Sequence, residues 1–185
     1  MKKLEQTQWE YMIHIDQMSS SDLHDLMNAF GQDVWNLAFI LTRRHDLADD
    51  IAQDVFLKAY SSIHTFRGHS AIKTWLLSIT RNTSLNYLRS AFVRKVTLFE
   101  WINTKESSPS AEQKVMEYTF SSEIWDTVLK LPIKLREVLI LHAKYEMTTK
   151  EIAAMLQLSE GTVKSRLSRA RGRMAAYRKE SALYE

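Results

Sequence analysis

Residues 148–170 read TTKEIAAMLQLSEGTVKSRLSRA, and this stretch decides the fold of the C-terminal part of the chain. Thr148 and Glu151 have the spacing of a capping box, which predicts that a helix begins there. The helix is short and places three apolar residues on one face: Ile152, Ala153 and Leu156. After a tight joint, Ser159 is in position to cap a second and longer helix. A short helix, a tight turn and a long helix with a polar face form the pattern of a helix-turn-helix.

The long second helix is basic on the face that its apolar residues leave free. A buried stripe is predicted from the spacing of Val163, Leu167, Ala170, Met174 and Tyr177. The basic residues lie off this stripe: Lys164, Arg166, Arg169, Arg171, Arg173, Arg178 and Lys179. Outward cations neutralise phosphates, and Ser165, Ser168 and Arg169 lie in the half of the helix that enters a major groove. A solvated basic face is the alternative, but the capped helix and the turn upstream favour DNA binding.

The positive charge of the chain is concentrated near its C-terminal end. Residues 121–185 contain 12 basic and 8 acidic side chains, whereas residues 1–92 contain 9 basic and 10 acidic ones. This asymmetry indicates that contact with nucleic acid is localised to one part of the molecule.

The N-terminal part is also predicted to be helical. Apolar residues recur at steps of three and four over residues 23–41, which predicts a long amphipathic helix capped by Ser21. A second helix is predicted around residues 47–59, and a third runs from about 71 to 89. The 4 Gly and 2 Pro are too few for an all-β protein, and no stretch alternates as a strand does. The fold class is therefore expected to be all-α.

A breaker-rich stretch, KESSPS at residues 105–110, divides the chain. We expect two small helical domains, a helical bundle over residues 21–92 and a helix-turn-helix domain over residues 122–185. A linker over residues 93–121 joins them. Residues 1–20 form an N-terminal extension in which a short extra helix is predicted, and the sequence suggests no function for it.

Four carboxylates and an amide lie close together on the second helix: Asp46, Asp49, Asp50, Asp54 and Gln53. A single helix cannot supply the six to eight oxygens that Ca²⁺ requires, and a metal-dependent nuclease would need a converging partner. Acidic residues near a helix N-terminus also stabilise the helix dipole. A docking face for a partner is the third interpretation, and these residues alone do not decide among the three.

A third cluster combines the loop FRGHS at residues 66–70 with two amides on the following helix, Asn82 and Asn86. An amide can hydrogen-bond a base edge, and an aromatic ring can stack on an unpaired base. The alternative is that both amides only face solvent and that Phe66 and Trp75 belong to the core. Trp75 is expected to be a core residue because an indole ring most often serves packing.

The sequence gives little support for catalysis, secretion or membrane insertion. There are 0 Cys, and the 6 His have no HExxH spacing. No phosphate-binding glycine loop and no nucleophile elbow occur. The chain has no apolar run of about 18 residues and no secretory signal at its N-terminus, so a cytoplasmic location is expected.

Several short motifs follow one another in a specific order. In the first domain they are DDIAQDVF at 49–56, FRG at 66–68, TWL at 74–76 and RN at 81–82. In the second domain they are LP at 131–132, EIA at 151–153, GTVKSR at 161–166 and RAR at 169–171. In this order and spacing the chain resembles the extracytoplasmic-function sigma factors, the smallest class of bacterial transcription initiation factors. The resemblance covers about residues 22–92 and 122–180.

The resemblance implies a role for each cluster. The acidic helix would dock on the clamp helices of RNA polymerase through Asp49, Asp50, Gln53, Asp54 and Phe56. The minus-ten promoter element would be melted and captured as unpaired bases by Phe66, Arg67, Asn82 and Asn86. The minus-thirty-five element would be read in the major groove by Thr162, Lys164, Ser165, Arg166, Ser168, Arg169 and Arg171. The linker would thread the polymerase interior near the RNA path.

The resemblance also implies the partners. Core RNA polymerase and promoter DNA are expected, together with an anti-sigma factor, which is membrane-anchored for many similar proteins. No cofactor, bound metal, catalytic residue or small-molecule substrate is expected. The alternative is a stand-alone helix-turn-helix regulator, which would bind duplex DNA tightly without a polymerase.

Overall fold

The computed structural model describes residues 9–98 and 123–181. These residues contain seven α-helices and two short 3-10 helices. Side chains are described for residues 9–90 and 124–177. The described residues contain no strand, so the prediction of an all-α chain is confirmed. They form two units, one on each side of residues 99–122. Residues 99–122 contain most of the expected linker and lie outside the described part.

The first unit is a bundle of three helices, α1 (Ser20–Thr42), α2 (His45–Ser62) and α3 (Ile72–Leu98), which pack pairwise on one another. The 3-10 helices Glu10–Ile13 and Ile63–Thr65 precede α1 and follow α2. Its core is formed by large apolar side chains, including Leu26, Leu37, Ile40, Leu41, Ile51, Ile63, Leu76 and Leu77. The predicted third helix ends later than expected, because α3 continues to Leu98 and so occupies the first residues of the expected linker.

The cap of α1 is Ser19, so the prediction of Ser21 as the cap is wrong. The Ser19 hydroxyl accepts a hydrogen bond from the backbone N–H of Asp22 at 3.1 Å. The Asp22 carboxylate accepts one in return from the backbone N–H of Ser19 at 2.9 Å. This reciprocal capping needs a side-chain acceptor three residues after the cap, and only Ser19 has a carboxylate at that position, since Ser21 is followed there by His24.

The second unit contains α4 (Glu123–Lys130), α5 (Ile133–Ala143), α6 (Thr149–Leu156) and α7 (Glu160–Ser181). Helix α7 packs on the other three, and α5 also packs on α6. Because α5 is covered on more than one side, its buried residues are not a single stripe: they are Arg136, Glu137, Val138, Ile140 and Leu141. Helical spacing places Leu135, Val138, Leu139 and His142 on one face of α5, but of these four only Val138 is buried.

None of the helices in the described ranges is both long and apolar enough to cross a membrane.

Candidate nucleic-acid interfaces and partner face

The helix-turn-helix is built from two side-chain caps. Thr148 Oγ1 accepts a hydrogen bond from the backbone N–H of Glu151 at 3.2 Å, and Glu151 Oε2 accepts one from the backbone N–H of Thr148 at 2.7 Å. Helix α6 ends at Gln157, which adopts the left-handed conformation with φ 54°. Ser159 Oγ then accepts a hydrogen bond from the backbone N–H of Thr162 at 3.2 Å, which begins α7. The predicted helix-turn-helix and both of its caps are confirmed.

Helix α7 is anchored by the stripe that its spacing predicted. Val163, Leu167 and Ala170 are buried, and Met174 and Tyr177 are half-buried. The opposite face is left open to solvent, so the long helix is held by one side only. This is the arrangement that a recognition helix requires in a major groove.

The exposed face of α7 carries most of the residues assigned to the minus-thirty-five element. Lys164, Ser165, Ser168, Arg169 and Arg171 are exposed, and Thr162 is half-buried. Arg166 is half-buried and also contacts α5, and its assignment to the DNA face stays a prediction. Its guanidinium turns inward to Glu137, whose side chain is only 5% exposed, with Nη1 3.5 Å from Oε1. The pair links α7 to α5, because burying Glu137 without a cation would be unfavourable.

An open groove of about 1050 Å³ runs along this face of α7. It lies between the start of α5 and α7, and its lining includes Pro132, Lys134, Ser165, Arg169 and Arg173. Lys134 was not among the predicted DNA contacts, because it lies far from the basic helix in sequence. Its cationic lining gives the groove the charge that a phosphate backbone requires.

The acidic residues of α2 do not form a uniform face. Asp49 accepts a hydrogen bond from Trp35 Nε1 at 2.6 Å, and Asp54 accepts one from the Tyr87 hydroxyl at 2.8 Å. Both carboxylates therefore help to join the three helices of the bundle. Asp50 is exposed, and no hydrogen bond or ion pair to it is recorded within the described residues.

At the start of α2, Asp46 is paired with Arg44. The hydrogen bond from the Arg44 guanidinium lowers the pKa of the Asp46 carboxyl below its usual value. Arg44 therefore compensates the negative charge of Asp46. Asp50 is the carboxylate of α2 that stays open to a partner protein.

Phe56 is only 4% exposed and belongs to the core of the bundle, and its assignment to the polymerase contact stays a prediction. Leu57 and Tyr60 instead project outward, with exposed fractions of 63% and 43%. They lie on the same side of α2 as Asp50 and Gln53, since residues three, four or seven apart share a helix face. The sequence did not predict this exposed pair. Both residues nevertheless lie off the buried stripe of α2, in which Ile51 and Val55 are four residues apart. Two exposed apolar side chains beside an open carboxylate are typical of a protein-binding face.

The loop between α2 and α3 divides into buried and open residues. Phe66 is 5% exposed and packs on Trp75 with ring centroids 5.5 Å apart, which agrees with the alternative that it belongs to the core, and its assignment to the minus-ten element stays a prediction. Arg67 is exposed, and Gly68 adopts φ +67°. Asn82 and Asn86 are exposed on α3 as predicted, and Arg81 donates a hydrogen bond to Asn82 Oδ1 at 3.2 Å. Arg67 and the two amides thus stay open to nucleic acid.

No group of three or more metal-ligating side chains is positioned to hold an ion within the described residues.

Both units match known protein families. Residues 26–92 match the Sigma-70 region 2 family and residues 121–174 match the Sigma-70 region 4 family. The RNA polymerase sigma factor YlaC of Bacillus subtilis (strain 168) is 33% identical over 151 residues, which is 80% of this chain and 87% of that protein. The ECF RNA polymerase sigma-E factor of Escherichia coli (strain K12) is 35% identical over 131 residues, 66% of this chain and 69% of that protein. The chain belongs to the extracytoplasmic-function sigma factors.

A solved structure agrees with this family. The sigma factor RpoE of Bartonella quintana, in a co-crystal structure with the anti-sigma factor NepR, is 25% identical and has a TM-score of 0.64. The match covers 85% of this sigma factor and 97% of that chain. Membership of the family accounts for the pairing of a three-helix bundle that contains the acidic helix α2 with a basic helix-turn-helix, a combination that a stand-alone regulator does not need.

Proposed function

We propose that the chain binds core RNA polymerase and directs it to promoters that carry a minus-ten and a minus-thirty-five element. The observation that carries this proposal is the division of open surfaces between the two units. One unit presents an acidic and apolar face on α2 and two amides on α3, and the other presents the basic face of α7. Binding to polymerase and binding to DNA are thus assigned to different side chains.

Helix α7 is proposed to read the minus-thirty-five element. Ser165, Ser168 and Arg169 are exposed and project from the half of α7 that a helix-turn-helix inserts into the major groove. Arginine recognises guanine through two hydrogen bonds, and serine accepts or donates to several bases. Lys164 and Arg171 neutralise phosphates, and each such contact changes the logarithmic salt slope by about −0.9 on duplex DNA. Arg166 is proposed to stabilise the unit rather than to touch DNA.

Capture of the minus-ten element is assigned to Arg67, Asn82 and Asn86. The element is bound as unpaired bases, whose edges are open to amide hydrogen bonds and whose faces can stack on a guanidinium. The free energy of strand opening comes from holding the unpaired bases, so the mechanism needs no nucleotide hydrolysis. This agrees with a sequence that has no phosphate-binding loop.

The polymerase contact is assigned to the exposed face of α2: Asp50, Gln53, Leu57 and Tyr60. The apolar pair supplies area to bury, and the carboxylate selects a basic partner surface. Asp49 and Asp54 are proposed to act mainly through their bonds to Trp35 and Tyr87, which hold α2 in place.

The chain is proposed to act in the cytoplasm, without catalytic residues, a cofactor or a small-molecule substrate. An anti-sigma factor is the proposed regulator. One similar structure is a complex of this kind: RpoE of Bartonella quintana with the anti-sigma factor NepR. A partner that covers the α2 face or the α7 face would prevent assembly with polymerase or promoter.

Run-off transcription from a pool of genomic promoter fragments tests the proposal. Bacterial core polymerase is assayed with and without the protein, and transcripts that depend on the protein are mapped. Shared motifs at two upstream positions are the expected result. The alternative, a stand-alone regulator, predicts no such transcripts together with tight binding of palindromic duplex DNA by the protein alone.

A further inference from the structure

Residues 9–18, the N-terminal segment, are anchored on the first unit. The Trp9 ring packs on Phe30 of α1 with centroids 5.6 Å apart. Trp9, Met12 and Met18 are all buried, and Met12 is 0% exposed. Three buried side chains within ten residues attach the segment to the bundle through the burial of apolar surface. The segment is therefore part of the packed bundle.

A polar contact fixes the same segment to the start of α1. The Tyr11 hydroxyl donates a hydrogen bond to Asp22 Oδ1 at 2.8 Å. The other carboxylate oxygen of Asp22 closes the capping box with Ser19. The segment is thus held both by the core of the bundle and by the cap of its first helix.

Held in this way, the segment places Ile13 against the loop at Gly68. A Cβ atom added to Gly68 would lie 2.5 Å from Ile13 Cδ1 and 3.0 Å from Ile13 Cγ1, far closer than carbon atoms normally approach. Gly68 also has φ +67°, in the region that favours glycine. The neighbouring residue is Arg67, which is exposed. The loop residue beside Arg67 therefore contacts Ile13, a side chain that is itself 38% exposed but whose backbone belongs to the anchored segment.

We propose that the N-terminal segment is a positioning element for promoter opening, and that Ile13 holds the loop at Gly68 so that Arg67 meets the unpaired minus-ten strand. This inference rests on the proposed function. Ile13 is not proposed to touch DNA. It acts through Gly68: Phe66 holds one side of the loop by packing on Trp75, and Ile13 contacts it at Gly68 on the other side of Arg67.

The test measures strand opening and polymerase binding separately on the full-length protein. The Ile13→Ala variant is compared with Ile13→Val, which keeps the branched carbon, and with Met27→Ala, a matched removal of an exposed apolar side chain from α1. Holoenzyme is assembled on a promoter found by the run-off assay. Opening is followed by the fluorescence of 2-aminopurine placed in the minus-ten element, and core-polymerase affinity by anisotropy of the labelled protein.

We expect Ile13→Ala to lower the extent of opening about fivefold, the factor that corresponds to about 1 kcal/mol. Polymerase affinity should stay unchanged, and Ile13→Val and Met27→Ala should behave as the wild type. Opening by Ile13→Ala at the wild-type level would overturn the inference. Equal loss of opening and of polymerase affinity would also overturn it, because that result indicates a general defect of the bundle.

A second pair of variants tests the same contact from the side of the loop. Gly68→Ala should impair opening, because its new methyl group meets the Ile13 side chain and its backbone stays at φ +67°. Adding Ile13→Ala to Gly68→Ala should restore part of the opening, since the collision is removed and only the backbone strain remains. If the double variant opens no better than Gly68→Ala, then Ile13 does not hold the loop. Failure of the wild-type holoenzyme to open any promoter would instead count against the proposed function.

Discussion

Arg166 and Arg169 lie three residues apart on α7 and have opposite environments. Arg166 reaches Glu137, which is buried, whereas Arg169 is exposed. We expect Arg166→Ala to lower the free energy of unfolding by about 2 kcal/mol, because it removes an ion pair from a carboxylate that is only 5% exposed. Arg169→Ala should change it by less than about 0.5 kcal/mol. Urea denaturation of the two variants measures the difference, and equal midpoints would contradict the inward assignment of Arg166.

Asp22 gives a prediction for acidic pH. Hydrogen bonds from the Ser19 hydroxyl, the Ser19 backbone and Tyr11 lower the pKa of this carboxyl below its ordinary value of 3.8. Since the folded-state pKa is the lower one, the ionised group stabilises the fold above the ordinary value. That stability is lost as the pH falls through the folded-state pKa.

Asp22→Asn should therefore lose stability at about pH 5 and show a flatter decline toward about pH 2.5 than the wild type. Thermal unfolding at several pH values measures the decline. Asp25→Asn, on the same turn of α1, is the control and should follow the wild-type curve. A parallel decline in Asp22→Asn and the wild type would contradict the assignment.

Single residues also show which structural features could be predicted from the sequence and which could not. The caps at Thr148 and Ser159 were predictable, because a cap is a local hydrogen bond between residues three apart. The burial of Phe56 was not predictable, because a motif shows that an aromatic residue matters without showing which way it points. The inward turn of Arg166 depends on Glu137, 29 residues earlier, and spacing within one helix contains no sign of that contact.

Helix α2 is the element whose exposed face is proposed to bind polymerase. Asp50→Lys should lower the affinity for core polymerase about tenfold or more, because it reverses a charge at the centre of that face. Asp25→Lys on α1 makes the same charge change elsewhere on the bundle and should have little effect. Co-purification and anisotropy with core polymerase measure both variants. Equal affinity of the two would refute the assignment of this face.

Helix α7 is the element proposed to recognise DNA. Arg169→Ala should lower transcription from the protein's own promoter about five- to a hundredfold, the range for one lost arginine–guanine contact. Its affinity for core polymerase should be unchanged, and Lys130→Ala on α4 is a control for loss of an exposed cation. The readouts are run-off transcription and polymerase affinity. Loss of both together in Arg169→Ala would contradict a role confined to DNA.

At the level of elements, periodicity predicted the number and type of the helices well. It failed for α5, where burial on more than one side removes the single stripe that periodicity detects. It also missed the exposed Leu57 and Tyr60, because an apolar residue on a helix is first assigned to the core. The packing of the three helices shows that other side chains form the core of the bundle and that Leu57 and Tyr60 stay exposed.

The molecule as a whole joins two units, each of which offers DNA only a small open surface. Simultaneous contact through both units raises affinity by about 10²- to 10⁴-fold over a single contact, provided that the polymerase holds them at the right separation. We therefore expect the protein alone to bind promoter DNA weakly and the holoenzyme to bind it tighter by a factor in this range. Anisotropy of labelled promoter DNA measures this, with core polymerase alone as the control. Full affinity of the isolated protein would contradict it.

The side chains that hold α7 in place are distinct from those it shows to solvent. Val163, Leu167 and Ala170 maintain the unit, whereas Ser165, Ser168 and Arg169 contribute little to its packing. A duplicated gene can therefore acquire a new set of target genes by exchanging two or three exposed residues without passing through an unfolded intermediate. The same separation allows an engineer to build a panel of mutually insulated transcriptional switches on one scaffold.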